Sequence, residues 1–181
     1  RAMSDETALA ELLDKQAIAE RLADYARAAD RVDVELLRSV FHPEARADYG
    51  EMFQGTGHEF AEFIGMMHPE METHHHQLGQ VTVRVQGDRA GSEAYVTVRL
   101  RYRRPDGTVG ELASHGRYVD RWERRDGQWR ISDRRYLHHL DESWTSTGGS
   151  YPTRGSRDTD DPAYDVLGDG ADEADEGEAG A

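Results

Sequence analysis

The sequence predicts an α+β fold, in which helices in the N-terminal half precede one curved, mostly antiparallel sheet that wraps against them. Three observations support this prediction. Apolar residues recur at helical spacing between Ser4 and Arg31, a stretch that contains no Pro or Gly. Beyond Glu72 the period changes, and apolar and polar residues alternate as far as His139. Between the alternating segments, residues 86–88, 105–107 and 126–127 have the composition of hairpin turns.

The helical half is divided by residues that can cap or end a helix. Ser4 and Asp14 each offer a side-chain oxygen to the free backbone N–H groups of a first turn, so we expect two helices joined near Asp14. Asp33 precedes a short third helix, which Pro43 ends. The other predicted elements of this half are a small strand at residues 45–49 and a fourth helix that follows Gly57 and runs to about Pro69.

The alternating half predicts four strands and completes a single domain. These strands are expected at residues 76–85, 93–102, 110–123 and 128–139. Arg1 and Ala2 precede Met3 and are interpreted as a remnant of cloning, so the domain is expected to span residues 4–143. The remainder is expected to form a C-terminal arm at residues 144–167 and a disordered acidic tail at residues 168–181.

The composition excludes several classes of protein. The 181 residues include 36 acidic and 22 basic side chains, and the net charge of -14 argues against a nucleic-acid partner, because phosphate binding depends on a basic surface. The absence of cysteine excludes a disulfide framework and a thiolate zinc site. No apolar run approaches the ~18 residues of a membrane span. We therefore expect a cytoplasmic protein that binds neither nucleic acid nor membrane.

The histidines are the most informative candidates for chemistry. His74, His75 and His76 follow one another where the helical half meets the sheet, and alternation in a strand places His74 and His76 on one face. One interpretation is a metal site, in which this pair binds the ion together with His115, His138 or His139 from neighbouring strands. No carboxylate at metal-ligand spacing accompanies these histidines, which weakens that interpretation. A general acid or base is the favoured interpretation, since a free imidazole titrates near pH ~6.5.

A histidine base needs a partner that fixes its tautomer and stabilises its charged form. Asp30 is the best candidate, because it lies at the end of a mainly apolar helical stretch. Tyr25 precedes it by five residues, which places the two side chains about 140° apart on a helix with ~100° per residue, so they could flank one cavity. Periodicity alone favours the other interpretation of Asp30, a surface acid that ends its helix beside the charged Arg31.

Four stretches of sequence carry a family resemblance. They are residues 22–50, the "FQGTG" that precedes a predicted helix, "HHHQLGQVTV", and the hairpin "GRYVDRWERRDGQWRI" with its continuation. Together they resemble the SnoaL-like branch of the nuclear-transport-factor-2-like (NTF2-like) superfamily, and in particular the group of bile-acid 7α-dehydratase, hexachlorocyclohexane dehydrochlorinase and scytalone dehydratase. The resemblance covers roughly Asp14 to Asp141 and implies an NTF2-like cone, whose helices close one side of the sheet and leave an apolar pocket.

The resemblance also implies roles for particular residues. The family's catalytic Asp is matched by Asp30, and its pattern His-x-Leu-Gly-Asn by residues 76–80, so that His76 is the catalytic His and Gln80 replaces the usual Asn. The tyrosine of the family dehydratases is matched by Tyr25, and the last-strand arginine by Arg134, with Arg135 as the alternative. Further substrate-binding positions are expected at Tyr49, His115, Tyr118 and Phe63, although Tyr49 and Tyr118 fit equally as packed core aromatics.

The implied activity is that of a lyase without a cofactor or metal, which removes water from a small hydrophobic carbonyl-containing or polycyclic molecule. His76 would take a proton from carbon while Asp30 holds the imidazole, and Tyr25 and Arg134 would donate hydrogen bonds to the developing negative charge. Isomerisation or cyclisation by the same site, and a non-catalytic small-molecule-binding module, are the alternatives. Arginine-rich strands with one uncovered face further predict a homo-oligomer, either a dimer or a trimer.

Overall fold

The computed structural model describes residues 4–149, 152 and 154–168. The chain divides between Thr147 and Gly148 into two compact units. The first unit contains three α-helices and one six-stranded sheet, and the second contains one short helix. The predicted cloning remnant at residues 1–3 and all of the predicted acidic tail after Gly168 lie outside the described residues.

Helix α1 runs without a break from Asp5 to Arg31, so the prediction of two helices joined near Asp14 is wrong. Ser4 caps this helix as expected, accepting a hydrogen bond from the backbone N–H of Thr7. Asp14 caps nothing, because its carboxylate accepts hydrogen bonds at 2.6 Å from the Arg124 guanidinium and at 2.9 Å from the Trp129 indole, both on the sheet. Asp14, which the sequence predicts as a helix cap, therefore joins the middle of α1 to two strands of the sheet.

The boundaries of the helix and the strand that follow α1 differ from those predicted. Helix α2 spans Val34–Ser39 and is capped by Asp33, but it ends before Pro43 because the chain already becomes extended at Phe41. Strand β1 covers Phe41–Asp48 and therefore begins earlier than the strand expected at residues 45–49. It accommodates Pro43 because its pairing is irregular between Phe41 and Arg46, where Pro43 is exposed.

A short strand and a capped helix complete the helical half. Strand β2 spans Gln54–Thr56 and leads into helix α3, Gly57–Met67, which a single 3₁₀ turn at His68–Glu70 extends. Thr56 and Glu59 form a reciprocal capping box that fixes the start of α3. The helix expected to run to about Pro69 is thus confirmed.

The four long strands are β3 (Thr73–Gln86), β4 (Arg89–Arg103), β5 (Val109–Arg125) and β6 (Gln128–Thr145). Each is longer than the alternating pattern predicted, and the expected domain end near Ser143 falls inside β6. The sheet order is β2-β1-β6-β5-β4-β3, in which only the β1–β6 pair is parallel. The predicted α+β fold with a curved, mostly antiparallel sheet is confirmed.

The sheet has an inner face, which α1 and α3 cover, and an outer face, which no helix among the described residues of this unit covers. Inner-facing side chains such as Ala94, Tyr118, Trp122 and Ile131 form the core together with the apolar faces of the helices. Strand β6 carries two bulges, because the pairing with β5 shifts between Arg121 and Trp122 and again between His115 and Gly116. Each bulge reverses which residues of β6 face inward.

The second unit contains helix α4, Pro162–Leu167, within the segment predicted as a C-terminal arm. Asp161 caps its start by accepting the backbone N–H of Ala163, and Gly168 ends it in the left-handed region with a φ of 76°.

Candidate active site

An aspartate and a histidine lie in direct contact at the junction of α1 and β3. His76 Nδ1 lies 2.6 Å from Asp30 Oδ1, and the backbone N–H of His76 donates to both carboxylate oxygens at 3.0 Å. The contact arises because the last turn of α1 packs against the start of β3. With Nδ1 directed at a carboxylate, the imidazole presents Nε2, which makes no hydrogen bond with the residues that the structure describes.

The dyad is shielded from water. The side chain of His76 is 6% exposed and that of Asp30 is 24% exposed. Burial raises the pKa of Asp30, but the hydrogen bonds and positive charge of His76 outweigh burial and place the pKa below its usual value. The carboxylate is therefore ionised at neutral pH, as a group that stabilises an imidazolium must be.

Tyr25 links the dyad to a second polar group deeper in the domain. Its ring contacts the His76 ring edge-to-face with centroids 6.2 Å apart, and its hydroxyl lies 2.8 Å from the Tyr49 hydroxyl. Burial raises the pKa of Tyr49 well above its usual value, although the charge of Arg134 opposes this effect, so the phenol remains a hydrogen-bond donor at neutral pH. Tyr25 and Asp30 thus both contact His76, while the expectation that they flank one cavity stays a prediction.

The Arg134 guanidinium is fully buried between two aromatic rings. Its central carbon lies 4.1 Å from the centre of the Tyr25 ring and 4.2 Å from that of Tyr118. Asp120, directly opposite on β5, accepts hydrogen bonds from Nε and Nη2 at 2.7 Å each. The third nitrogen, Nη1, is buried and makes no hydrogen bond within the described part of the chain.

The choice between Arg134 and Arg135 is decided by a bulge. Ile131 faces inward, and the extra residue Ser132 shifts the alternation, so that Arg134 faces inward three residues later. Arg135 faces outward with 55% of its side chain exposed. Simple alternation in the sequence could not separate the two arginines, because the bulge has no signal of its own there.

The other predicted substrate-binding residues divide between the two faces of the sheet. Tyr49 and Tyr118 are buried beside Tyr25, and Phe63 lies on α3 in an aromatic cluster with Phe53 and Phe60. The expectation that His115 points into the cone is wrong. This residue lies three positions from inward-facing Tyr118 on a stretch of β5 whose pairing with β4 is regular, so it faces outward and contacts Thr97 Oγ1 at 3.1 Å.

The remaining histidines do not gather into a cluster of ligands. His74 is buried on the same strand as His76, but its ring stacks on that of His68 with centroids 3.9 Å apart. Within the described residues, no group of three or more His, Cys, Asp or Glu side chains is arranged to hold a metal ion. No described helix is long and apolar enough to cross a membrane.

Sequence reasoning missed Asp120, the acid that holds Arg134. A signal was available, because Tyr118, Asp120 and Trp122 alternate on one side of β5 and the acid stands between two large aromatic core residues. Burial raises the pKa of Asp120, and the charge of Arg134 counteracts this effect. Asp120 thus belongs to the buried polar group of the site rather than to the surface.

The outer face of the sheet bears cavities at two places among the described residues. One, of about 260 Å³, is lined by residues that include Gln77, Tyr95, Thr97 and His115. The other, of about 480 Å³, lies near the hairpin turns at the opposite end of these strands. Neither is lined by Asp30, His76 or Arg134, so the predicted apolar pocket inside the cone stays a prediction.

Comparison with known proteins gives the family. Residues 10–135 match the SnoaL-like domain. The chain belongs to the SnoaL-like domain family. This confirms the resemblance seen in the sequence and agrees with its extent along the chain. No curated protein sequence matches the chain.

Several solved structures have the same fold as this SnoaL-like chain. Hexachlorocyclohexane dehydrochlorinase LinA-type3 from Novosphingobium barchaimii superposes with a TM-score of 0.66 at 18% identity, covering 81% of this chain and 99% of that one. A scytalone dehydratase-like protein from Novosphingobium aromaticivorans gives 0.64 at 21% identity, with 81% and 93% covered. The Kfla4162 protein from Kribbella flavida gives 0.66 at 20% identity, with 73% and 95% covered. At these identities the likeness establishes the shared fold.

Proposed function

We propose that this SnoaL-like domain is a lyase of the dehydratase type, which uses its own side chains to abstract a proton from carbon beside a carbonyl group. The observation that carries the proposal is the buried Asp30–His76 pair, with 2.6 Å between Oδ1 and Nδ1. A module that only binds a small molecule has no need of a buried acid joined to a base, since burying a charge costs free energy unless it is paired. Membership of a family that contains lyases is consistent with this activity.

The proposed reaction begins at Nε2 of His76. This nitrogen takes a proton from a carbon next to a carbonyl group, and the electrons of the C–H bond form an enolate. Asp30 stabilises the resulting imidazolium through Nδ1–H. The enolate then expels a β-hydroxyl group, the C–O bond breaks as the C=C bond forms, and the imidazolium returns its proton so that the hydroxyl leaves as water.

The enolate oxygen would be stabilised by the buried donors behind the dyad. Tyr25 and Tyr49 share one hydrogen bond, so one hydroxyl hydrogen of the pair is available to a ligand. Arg134 contributes a positive charge that Asp120 holds in place by two hydrogen bonds. Each such donor contributes about 3 kcal/mol to the stabilisation of a developing oxyanion in a site of this kind.

Deuterium exchange tests this proposal on a range of candidate substrates at once. The protein would be incubated in D₂O with a panel of cyclic and polycyclic β-hydroxyketones, and mass spectrometry would measure both deuterium uptake at the α-carbon and loss of water. We expect the wild-type protein to catalyse exchange, and elimination, for at least one compound. Substitution of Asp30→Asn should lower the rate about 100-fold or more, since an amide cannot stabilise the imidazolium as a carboxylate does.

The control variant is His75→Gln, which changes the neighbouring, exposed histidine on the same strand. It should retain the wild-type rate, whereas His76→Gln should lose it, and circular dichroism would verify that both variants fold. Exchange that survives in Asp30→Asn and His76→Gln would contradict the proposed base. Exchange without loss of water would favour an isomerase or cyclase, which begins with the same proton transfer.

A further inference from the structure

The outer face of the sheet contains three arginines that form no ion pair with any residue that the structure describes. Arg84 on β3, Arg89 on β4 and Arg121 on β5 line the cavity of about 480 Å³, which we call the arginine groove. No carboxylate within the described part of the chain pairs with them, and Arg84 donates only to the backbone oxygen of Val83. The groove has the size of a small-molecule site.

These three arginines differ from the arginines around them. Arg124 pairs with Asp14 and Asp88, and Arg125 pairs with Glu44 and Glu123. In a chain of net charge -14, acidic partners are plentiful. Three guanidinium groups that line one cavity without a close ion pair therefore give this part of the outer face an excess of positive charge, in contrast to the overall charge of the chain.

Strand register explains the convergence and leaves room for a ligand. Gly91 on β4 is paired with Arg84 on one side and with Arg121 on the other, so two arginines flank a residue without a side chain. A Cβ atom at Gly91 would lie 3.8 Å from the nearest atom, the backbone oxygen of Asp120, so the floor between the arginines is open. Gln86 and Ser132 add neutral hydrogen-bonding groups to the lining.

One carboxylate also lines the groove, and its charge is already engaged. Glu123 accepts hydrogen bonds from Arg125 at 2.7 Å and 3.1 Å. This contact lowers the pKa of its carboxyl group, and the charge of Arg89, which lies opposite on β4, acts in the same direction. Asp133 lies opposite Arg121 on β6, and its nearest ion-pair contact is 3.9 Å to Arg135. With three arginines against Glu123, the lining of the groove keeps an excess of positive charge.

We propose that the arginine groove is a binding site for a small molecule that carries a phosphate group. Guanidinium forks match the oxygens of phosphate and carboxylate groups alike. Arginines that approach from three neighbouring strands suit a tetrahedral oxyanion, which offers three terminal oxygens, better than a planar carboxylate, which offers two. This site lies on the opposite face of the sheet from the Asp30–His76 dyad and does not depend on the proposed lyase activity.

Calorimetric titration of the full chain with inorganic pyrophosphate tests the proposal, with citrate and sodium chloride at matched ionic strength as comparison titrants. We expect saturable binding of pyrophosphate, weakened about 10-fold or more in Arg121→Gln and in Arg84→Gln, in keeping with the loss of one charged hydrogen-bonding partner. Using two variants keeps the test valid if one of them fails to fold.

The matched control is Arg99→Gln, which removes one positive charge from the same face of the same sheet. Arg99 also lacks a carboxylate partner within the described residues and lies over the Trp144 ring instead, about 27 Å along β4 from Gly91 at ~3.4 Å per residue. It should bind pyrophosphate as the wild type does. Absence of binding, equal weakening in Arg99→Gln, or citrate binding as tight as pyrophosphate would each overturn the proposal.

Discussion

Asp120 and Arg134 form a buried ion pair, so neither residue can be replaced alone without a loss of stability. Both side chains are fully buried, and each completes the other through two hydrogen bonds of 2.7 Å. Removing one partner leaves an uncompensated charge in the core, which costs about 3–5 kcal/mol and so most of the stability of a marginal domain. The pair therefore has to be tested by changing both members.

We expect Arg134→Met to lower the free energy of unfolding by about 3–5 kcal/mol, because Asp120 then lies buried without a cation. The double variant Asp120→Leu with Arg134→Met should recover a large part of that loss, since it removes both charges. Urea unfolding followed by circular dichroism measures both quantities. Equal stability of the single and double variants would contradict the assignment of the loss to an unpaired Asp120.

Asp30 provides a second prediction, concerning pH. Its pKa in the folded protein lies below the usual value, so the unfolded chain binds a proton at a higher pH than the folded chain does. The stability that this carboxylate contributes is present above the pKa of the unfolded state, and it is lost as the pH falls through the lower pKa of the folded state. Unfolding free energies at several values between about pH 7 and pH 3 should decline less steeply in Asp30→Asn than in the wild type. Parallel curves for the two proteins would contradict this.

The residues of the buried site differ in how well the sequence predicts them. The sequence identifies Asp30, His76 and Tyr25 through the family resemblance, whose motifs match the last part of one helix and the start of one strand. The partner of Arg134 is not identified in this way, because Asp120 meets it only through the pairing of β5 with β6. The error at His115 has another cause, because the three positions that separate it from Tyr118 place the two side chains on opposite faces of β5, and the prediction placed both inward.

At the scale of elements, the close approach of α3 to β1 limits what the start of that helix can carry. A Cβ atom at Gly57 would lie 2.3 Å from the ring of Phe41, which is closer than real contacts allow. The Phe41 ring itself packs 6.2 Å from Tyr25 and 5.7 Å from the guanidinium of Arg134. The glycine therefore lets α3 approach β1 and indirectly positions the buried polar group.

We expect Gly57→Ala to destabilise the domain by about 1–3 kcal/mol, because the Phe41 ring must shift into a filled core. The control is Gly91→Ala, where the added methyl group meets no atom closer than 3.8 Å and the free energy of unfolding should change by less than about 0.5 kcal/mol. Thermal and urea unfolding measure both. Equal stability of Gly57→Ala and wild type would show that α3 moves away from β1 without cost.

Element boundaries are harder to predict than element types, and the reasons are tertiary. The break expected at Asp14 is absent because two side chains of the sheet satisfy its carboxylate within a continuous helix. Strand β1 begins before Pro43 because an irregular pairing with β6 tolerates the missing N–H. Neither effect is visible in a local window of sequence, whereas the hairpin turns and the cap at Ser4 depend on local residues and are confirmed.

At the scale of the whole molecule, the outer face of the sheet carries a second feature besides the arginine groove. Several large apolar side chains on β4 and β6 are partly exposed on this face outside the groove, with exposed fractions of 37–50%: Tyr95, Leu137, Leu140 and Trp144. Arg99 and Arg117 lie over the Trp144 and Tyr95 rings. Aromatic residues with arginine are the composition typical of protein–protein interfaces.

We expect the protein to form a homo-oligomer, a dimer or a trimer, through this apolar part of the outer face. Substitution of Leu140→Glu places a charge among these side chains and should shift the assembly toward monomer, since a buried unpaired charge opposes association. Arg121→Gln in the arginine groove, at the other end of the face, is the matched control and should leave the assembly unchanged. Sedimentation velocity at micromolar concentration measures each species. A monomeric wild type, or an oligomer that Leu140→Glu leaves intact, would show that this surface does not hold the copies together.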